Sequence, residues 1–297
     1  MWWGRRVIVL PREIADHVGR DDVVIWDGDP AEPPVGTRFY VPSYMAGEWA
    51  FEVMGRLPEL EVCQLPTAGY EHALAHLPRG VTLCNASGVH DASTAELAMG
   101  LMLARLRRID DMARAMPSGE FMHDRYDALA DKRVLIIGAG GIGQALARRL
   151  EGFECDIALV GRTARPGVHA REELTSLVPS ADVIVIAVPL DDSTRGMVDA
   201  TFLARMHDGA LLVNVARGAI VDTEAMLAET GRLSFALDVT EPEPLPADHP
   251  LWRTPGVLIS PHVGGNTTAF LPRIGRLVRE QLDRWESGAA LDNVVVP

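Results

Sequence analysis

Short apolar runs alternate with helical patterns along the chain, and this alternation predicts the fold class. In the first third of the sequence, the runs typical of strands are Val7–Leu10, Val23–Trp26, Arg38–Val41, Glu61–Leu65 and Val81–Cys84. Helical patterns lie between them, such as Gly47–Arg56 and Tyr70–Ala75. Strands that alternate with helices are typical of βαβ units. This part of the chain is therefore predicted to form a mostly parallel sheet.

The alternation restarts more sharply after residue 132. The runs that follow are almost purely apolar, as expected for strands covered on both faces: Val134–Ile137, Ile157–Val160, Val183–Val188, Leu211–Val215, Phe235–Val239 and Val257–Ser260. Six such strands suffice for a complete doubly wound sheet. We predict an α/β protein with two doubly wound parallel-sheet domains.

The remaining patterns lie between these two parts and at the end of the chain. A long helix is predicted from Ser93 to about Ala115, and residues 117–132 are predicted to form an extended connection over the surface. A last helix is expected at roughly Thr268–Trp285, followed by a tail that ends in DNVVVP.

Composition and charge exclude several classes of protein. The 297 residues are 47% hydrophobic and 23% charged, which is ordinary for a globular protein of about two domains. The net charge of −13 disfavours general binding to nucleic acid, because it repels phosphate backbones. No apolar stretch is long enough to span a membrane. Three widely spaced cysteines, Cys63, Cys84 and Cys155, indicate neither a disulfide framework nor a zinc site, so a cytoplasmic location is predicted.

A glycine-rich motif follows the first strand of the second part. Gly138, Gly140 and Gly143 form G-x-G-x-x-G between the strand Val134–Ile137 and the helical pattern Gln144–Leu150. The first glycine permits a tight turn, the second lets the backbone approach a pyrophosphate, and the third allows close packing of helix on strand. The amides that open the helix then bind the phosphates. A glycine-rich turn without a ligand is the alternative, but the strands that follow favour a dinucleotide site.

The end of the next strand indicates which dinucleotide binds. An NAD site usually presents a carboxylate there to hold the ribose 2′-hydroxyl. Here the strand ends in Gly161, Arg162, Thr163, Ala164 and Arg165, with no carboxylate at its tip. Arginine suits a 2′-phosphate, which a carboxylate would repel. We predict NADP as the preferred cofactor over NAD, with Arg162 as a solvated turn residue the alternative.

Polar side chains of three types follow three later strands. Arg217 comes after the run Leu211–Val215. Glu241 and Glu243 come after the run that begins at Phe235, and His262 comes after the run that begins at Val257. In an open α/β sheet, ligands bind at the carboxyl ends of the strands. An arginine, an acid and a histidine are thus expected at the same rim as the glycine-rich loop.

These motifs together resemble the D-isomer-specific 2-hydroxyacid dehydrogenases, and within that family the glyoxylate/hydroxypyruvate reductases. The resemblance covers nearly the whole chain and is carried by the glycine-rich loop and by CNASGVHDASTAELAMGLML (84–103), VPLDDSTRG (188–196), NVARGAIVD (214–222), ALDVTEPEPLP (236–246) and SPHVGGNT (260–267). It implies a flavodoxin-like substrate domain, residues 1–92 and 273–297, and a Rossmann cofactor domain, residues 93–272. It also implies a homodimer.

The resemblance assigns roles to matching positions. Arg217 matches the arginine that holds the substrate carboxylate and keto oxygen, Glu243 the acid, and His262 the acid/base histidine. The implied substrate-binding residues are Ala68 and Gly69, through backbone amides, together with His90 and Arg217. The implied cofactor-binding residues are Gly138, Gly140, Gly141, Ile142, Gly143, Gly161, Arg162, Thr163, Arg165, Val188, Pro189, Thr194, Val215, Ala216, Asp238, His262 and Gly264.

General chemistry supports the three catalytic assignments. Hydride transfer to a keto carbon creates an alkoxide that needs a proton, and a histidine, which titrates near about pH 6.5, can supply one. A carboxylate beside it favours the imidazolium. A guanidinium can hold a carboxylate by two parallel hydrogen bonds. The spacing of the D-V-x-x-x-E-P motif favours Glu243 over Glu241.

Two alternative functions stay open. The same arginine, glutamate and histidine also suit phosphite oxidation, whereas formate enzymes of the superfamily carry glutamine at the position of Glu243. A dinucleotide-sensing corepressor on the same fold is the non-catalytic alternative. For His90, a structural role near the helix at Ser93 is as well supported as contact with substrate.

Overall fold

A computed structural model describes residues 7–28 and 32–297. Its strands are β1 (Val7–Leu10), β2 (Val24–Ile25), β3 (Thr37–Tyr40), β4 (Val62–Gln64), β5 (Thr82–Cys84), β6 (Arg133–Ile137), β7 (Asp156–Val160), β8 (Val183–Ile186), β9 (Leu211–Asn214), β10 (Ser234–Leu237), β11 (Val257–Ile259) and β12 (Val294–Val296). Its helices are α1 (Arg12–Val18), α2 (Trp49–Glu52), α3 (Glu71–Leu74), α4 (Asp91–Leu106), α5 (Ile109–Ala115), α6 (Gly141–Leu150), α7 (Leu174–Leu177), α8 (Ala200–Arg205), α9 (Thr223–Ala228) and α10 (Phe270–Ser287). Each strand predicted from the apolar runs is present.

The chain divides into two compact units, which are described separately. The first unit comprises Met1–His90 and Thr268–Pro297, and the second comprises Asp91–Thr267. These limits lie close to the predicted boundaries after residues 92 and 272. The roles of the two units as substrate and cofactor domains stay a prediction at this point.

The first unit is built on a sheet in the order β12-β5-β4-β3-β1-β2. Its first five strands are parallel and follow the flavodoxin order 2-1-3-4-5. The predicted tail instead forms β12, which pairs antiparallel with β5 through Val294 and Cys84. Helix α10 packs on this unit through Ile274, Val278 and Leu282, which recur every four residues on one face and are buried.

The second unit is built on a parallel sheet in the order β11-β10-β9-β8-β6-β7. Strands β8 and β9 are buried at every position, as expected for strands covered on both faces. A single parallel bridge between Val160 and His169 takes the place of the third strand of the classic dinucleotide-binding order. Both sheets thus confirm the predicted α/β class.

The long helix predicted from Ser93 to about Ala115 is wrong in one respect, because the chain forms two helices. Arg108 adopts a left-handed conformation, with φ 52°, and ends α4 before α5 begins. Ion pairs hold this break: Arg105 reaches Asp110 at 2.5 Å, and Arg108 reaches Asp111 at 2.7 Å. The side chains of Arg105 and Asp110 are only 6% exposed. The break between the two helices is therefore stabilised by buried side chains.

The cysteines of the first unit pack in its core, as predicted. Cys63 and Cys84 are free and buried. Burial raises the pKa of Cys84 to about 11, so that thiol is protonated at neutral pH.

Residues 7–28 and 32–297 contain neither a candidate membrane span nor a candidate metal cluster. None of the helices there has the length and apolarity needed to cross a membrane. No group of three or more His, Cys, Asp or Glu side chains in the same ranges is arranged to hold a metal ion.

Candidate active site

The glycine-rich loop between β6 and α6 leaves no room for side chains at two of its glycines. Gly138 has φ +126°, and a Cβ there would lie 2.2 Å from the carbonyl oxygen of Ala187. A Cβ on Gly143 would lie 1.8 Å from the carbonyl oxygen of Gly138. By contrast, a Cβ on Gly140 would have no heavy atom within 4 Å. The loop therefore has the tight turn, the close packing and the open approach that a pyrophosphate requires.

Helix α6 begins where this loop ends, with Gly140 in the capping position. Ile142 is partly buried against the core beneath the helix. A Cβ on Gly141 would lie 1.9 Å from Oδ2 of Asp91, the first residue of α4. Glycine at position 141 therefore makes room for the Asp91 carboxylate beside the start of α6.

Exposed arginines surround the end of β7, where the adenosine ribose is expected. Arg162 and Thr163 follow Gly161 and are exposed. Nη2 of Arg165 donates to the carbonyl oxygen of Ala139 in the glycine-rich loop at 2.8 Å. These residues carry the hydrogen-bond donors that a 2′-phosphate needs, and no carboxylate belongs to the turn itself.

The arginine at position 162 has a partner that the sequence did not reveal. Its Nη2 lies 3.3 Å from Oδ2 of Asp191, in the loop after β8, and its side chain is 80% exposed. Hydrogen bonds from Ser193 lower the pKa of the Asp191 carboxyl, so this side chain is ionised at neutral pH. The two charges form an exposed ion pair, which contributes little to stability.

The loop after β8 is held by its own threonine. The Thr194 hydroxyl donates to the carbonyl oxygen of Pro189 at 2.7 Å and accepts the amide of Asp191 at 2.8 Å. Thr194 is buried, whereas Val188 is partly buried and Pro189 exposed. Thr194 thus shapes the loop that carries the other two.

Asn214, which sequence reasoning missed, orders the turn after β9. Its side chain donates to the carbonyl oxygen of Arg217 at 2.9 Å and accepts the amide of Ala216 at 3.0 Å. Val215 and Ala216 are buried, and Nη1 of Arg217 donates to the Ala216 carbonyl at 2.7 Å. The buried asparagine therefore fixes the backbone from which Arg217 projects.

The turns after β9 and β10 meet backbone to backbone. A Cβ on Gly218 would lie 1.9 Å from the carbonyl oxygen of Thr240 and 2.7 Å from the amide nitrogen of Glu241. Only glycine permits this approach. It places the turn that carries Arg217 against the turn that leads to Glu243.

His262 and Glu243 form a hydrogen-bonded pair. Nδ1 of His262 bonds to Oε1 of Glu243, and the two side chains are 30% and 37% exposed. His262 has a left-handed backbone, with φ 52°, which is uncommon for a residue other than glycine. Glu241 shows no such bond to His262, so within the described chain the structure favours Glu243, as the spacing predicts.

Charges around Glu243 keep its side chain ionised. Partial burial raises the pKa of the carboxyl, but the hydrogen bond and charge of His262 and the charge of Arg217 outweigh that effect. The net result is a pKa below the ordinary value for glutamate. Arg217, Glu243 and His262 therefore belong to one electrostatic group in the second unit.

Asp238 anchors the segment that carries His262. Its carboxylate accepts hydrogen bonds from the Ser260 hydroxyl at 2.7 Å and from the amides of Val263 and Gly264, both at 2.9 Å. Its backbone carbonyl accepts the amide of His262 at 2.8 Å. The side chain is 3% exposed. This buried carboxylate has a structural task beside the predicted contact with the cofactor.

The substrate-binding residues predicted near β4 lie in the first unit. Ala68 and Gly69 belong to a bend after β4, and the side chain of Asn85 donates to the carbonyl oxygen of Ala68 at 2.8 Å. His90 is 6% exposed, and its Nε2 bonds to the carbonyl oxygen of Pro66 at 2.9 Å. The imidazole of His90 thus contacts the start of the same bend.

Comparison with known proteins identifies close likenesses across the chain. The family model described as "D-isomer specific 2-hydroxyacid dehydrogenase, NAD binding domain" matches residues 99–264. A glyoxylate reductase of Thermococcus litoralis is 30% identical over 302 residues, which cover 92% of this chain and 90% of that protein. A mitochondrial formate dehydrogenase of Hordeum vulgare is 32% identical over 273 residues, which cover 86% of this chain and 70% of that protein.

A solved structure with a bound cofactor is also similar. It is the NADPH-dependent glyoxylate/hydroxypyruvate reductase of Sinorhizobium meliloti, in complex with NADP and sulfate. The TM-score is 0.83 at 25% sequence identity, and the match covers 98% of each chain. The likeness thus extends over both units.

Proposed function

This chain belongs to the D-isomer-specific 2-hydroxyacid dehydrogenase family, and on that premise we propose that it reduces small 2-keto acids of the glyoxylate/hydroxypyruvate type with NADPH. The observation that carries the proposal is the pairing of His262 with Glu243 in the same electrostatic group as Arg217. An acid/base histidine, an orienting carboxylate and a guanidinium are the side chains that carbonyl reduction requires.

His262 is the proton donor in this proposal. Because Nδ1 of the imidazole bonds to the Glu243 carboxylate, its other nitrogen, Nε2, is the one available to face a substrate oxygen. The ionised carboxylate bonds to Nδ1 and holds the ring in one orientation. The imidazole can therefore deliver a proton to the alkoxide oxygen that develops during reduction.

Arg217 binds the substrate in this proposal. Its guanidinium is permanently charged and offers paired N–H donors to a carboxylate and a keto oxygen. The backbone beneath it is ordered by Asn214 and by the contact between Gly218 and Thr240. For the first unit, the proposal keeps the amides of Ala68 and Gly69 as ligands of a substrate carboxylate.

The residues around the glycine-rich loop fit a dinucleotide. The open position above Gly140 and the close contacts at Gly138 and Gly143 form a cradle that a side chain would fill. When bound, the reduced nicotinamide cofactor supplies the hydride. Arg162, Thr163 and Arg165 would hold the 2′-phosphate of NADP, and this preference is supported by the absence of a carboxylate from their turn, residues 161–165.

A homodimer is the proposed assembly. Ile109 on α5, Met116 and Phe121 are 52%, 76% and 90% exposed, so large apolar side chains face solvent on α5 and in the connection that follows it. Large apolar side chains at these positions support an interface with a second copy of the chain. A monomer mass in light scattering would contradict the assembly, and Phe121→Ser is expected to weaken the dimer. A cytoplasmic location also stays a prediction.

The test of function is a panel of substrates offered with each cofactor. Glyoxylate, hydroxypyruvate, pyruvate and phenylpyruvate are supplied with NADPH and with NADH, and formate and phosphite are supplied with NADP and NAD. We expect the highest kcat/KM for glyoxylate or hydroxypyruvate with NADPH. Formate is included because of the similarity to formate dehydrogenases. If only formate or phosphite were turned over, the protein would be a formate or phosphite dehydrogenase and the proposal would be wrong. If the dinucleotide bound without turnover of any substrate, the result would favour a dinucleotide-sensing corepressor.

A further inference from the structure

Four consecutive carbonyl groups in the bend after β4 each accept a hydrogen bond from within the first unit. Pro66 O bonds to Nε2 of His90 at 2.9 Å, and Ala68 O accepts from Nδ2 of Asn85 at 2.8 Å. Thr67 O accepts from the amide of Ala86 at 2.8 Å, and Gly69 O accepts from the hydroxyl of Thr67 at 2.7 Å. The orientation of every peptide plane from 66 to 70 is thereby fixed.

The fixed carbonyls determine where the amides point. In a trans peptide, the N–H of each residue points away from the preceding carbonyl, and all peptides in this bend are trans. The N–H groups of Thr67, Ala68, Gly69 and Tyr70 are therefore turned away from the donors that hold the carbonyls. Within the described part of the chain, none of these four amides donates a hydrogen bond. A row of such amides suits an anion.

His90 is built to hold this bend. Its ring packs against Tyr44 and Phe270, with ring centroids 5.6 and 5.3 Å away, and those two rings also contact each other, so the imidazole has little freedom to turn. Because a carbonyl oxygen can only accept, Nε2 of His90 carries the proton of the hydrogen bond to Pro66. The residue is 6% exposed, so water has little access to compete for its hydrogen bond to the backbone.

Asn85 has the same task for the next peptides. Its Nδ2 holds the Ala68 carbonyl, while its Oδ1 accepts the amide of Ser87 at 3.2 Å. The backbone of Asn85 is itself held, because its carbonyl accepts from Gln64 and its amide donates to Asn293. The residue is thus anchored on three sides.

We propose that His90 and Asn85 are positioning residues, which hold the amides of residues 67–70 in the orientation that binds the carboxylate of a 2-keto acid. The inference rests on the proposed function, since that function supplies the anion. It gives His90 a role through the backbone of the bend, in place of direct contact with substrate. A loss of either side-chain donor releases the one carbonyl that it holds, so the next amide is no longer fixed and anion binding weakens.

The test uses variants of His90 that separate its donor from its ring. His90→Phe keeps the aromatic stack and removes the donor, whereas His90→Gln keeps an N–H near the position of Nε2 and removes the ring. Asn85→Asp keeps the acceptor for Ser87 and removes the donor to Ala68. Tyr40→Phe is the matched control, because the Tyr40 hydroxyl is a buried donor to the carbonyl of Ala50 in the same unit, away from the bend.

The expected result is a change in substrate binding rather than in turnover. His90→Phe and Asn85→Asp should raise the KM for glyoxylate about tenfold, with kcat and the Kd for NADPH little changed. The same variants should weaken the binding of oxalate, an unreactive carboxylate, to the NADPH complex in calorimetry. His90→Gln should restore most of the KM, and Tyr40→Phe should leave it unchanged.

Several outcomes would overturn the inference. They are an unchanged KM in His90→Phe, an equal rise in Tyr40→Phe, or a fall in kcat alone. Thermal unfolding of each variant separates a loss of binding from a loss of the fold. If His90→Phe does not fold, the KM of Asn85→Asp tests the inference in its place. If the wild-type protein reduced no 2-keto acid, the proposed function would fail, and the oxalate measurements would then decide the inference by themselves.

Discussion

The imidazole of His262 is hydrogen-bonded through Nδ1 to the carboxylate of Glu243, across the turns that follow β11 and β10. Both ends of this pair are held by the backbone beneath them. Asp238 ties the segment of His262 to the end of β10, and Gly218 brings the turn of Arg217 against Thr240. The side chains of the proposed catalytic group therefore project from backbone segments that are held in place, as precise proton transfer requires.

Replacement of His262 by alanine is expected to remove the proton donor without disturbing the cofactor. We expect His262→Ala to lower kcat by about 10²–10⁴-fold, since general acid catalysis contributes on that order. The Kd for NADPH, measured by fluorescence, should change little. His249→Ala is the control, because His249 only caps the short turn Pro250–Arg253 of the same unit. Near-normal turnover in His262→Ala would refute the assignment.

Glu243→Gln is expected to lower turnover. The pKa of Glu243 is held below its ordinary value, so the carboxylate is charged at neutral pH, where it bonds to Nδ1 of His262. Glutamine keeps the size of the side chain but removes the charge, and hydrogen bonds to a charged group are stronger than bonds between neutral groups. We therefore expect kcat to fall about tenfold in steady-state kinetics, with the Kd for NADPH little changed.

The control for this fall is Glu241→Gln, which removes a neighbouring exposed carboxylate. Its kcat should match that of the wild-type protein. The ion pair also has a stability consequence with a definite sign. Because the pKa of Glu243 is lowered in the folded state, its contribution is present above about pH 4.3 and is lost as the pH falls further. An unchanged kcat in Glu243→Gln would show that the pairing of Glu243 with His262 does not support turnover.

The sequence allowed much of this site to be predicted, because the residues follow local rules. Gly138, Arg217 and His262 each come directly after an apolar strand, and parallel strands deliver their carboxyl ends to one rim. The alternation of strands and helices also predicted the parallel pairing within both sheets, apart from β12.

The features that escaped prediction depend on contacts between distant residues. The break between α4 and α5 requires a left-handed backbone at Arg108 and the ion pairs around it. The spacing of apolar residues in the sequence does not indicate either feature. Strand β12 depends on pairing with β5, far away in the sequence. Likewise, Asp191 as the partner of Arg162 comes from a loop 29 residues away. The helix break, strand β12 and the Arg162–Asp191 pair all depend on tertiary contacts.

The Arg162–Asp191 pair allows a test of cofactor preference in two directions. Arg162→Gln removes a guanidinium that would bind the 2′-phosphate, so the Kd for NADPH should rise about tenfold while that for NADH stays constant. Asp191→Asn removes a nearby negative charge that competes for the same guanidinium, so it should tighten NADPH binding. Equal effects on both cofactors, or a wild-type preference for NADH, would contradict a role in selecting NADP.

The glycine at position 218 is expected to be far less replaceable than the glycine at position 141. In Gly218→Ala, the new Cβ would meet the backbone of Thr240 at 1.9 Å, so two turns must separate. In Gly141→Ala, the Cβ would meet the end of the Asp91 side chain, which can move aside. We expect Gly218→Ala to lower the free energy of unfolding by about 1–3 kcal/mol and to reduce kcat, because Arg217 moves with its turn.

Urea unfolding and steady-state kinetics of both variants check this expectation. Gly141→Ala should lose less stability, and Asp91→Ala in the same chain should recover part of the loss, because it removes the atoms that the Cβ meets. Asp91→Ala should not rescue Gly218→Ala, since Thr240 is the obstacle there. If Gly218→Ala kept full stability and turnover, the close contact between the two turns would not be what positions Arg217.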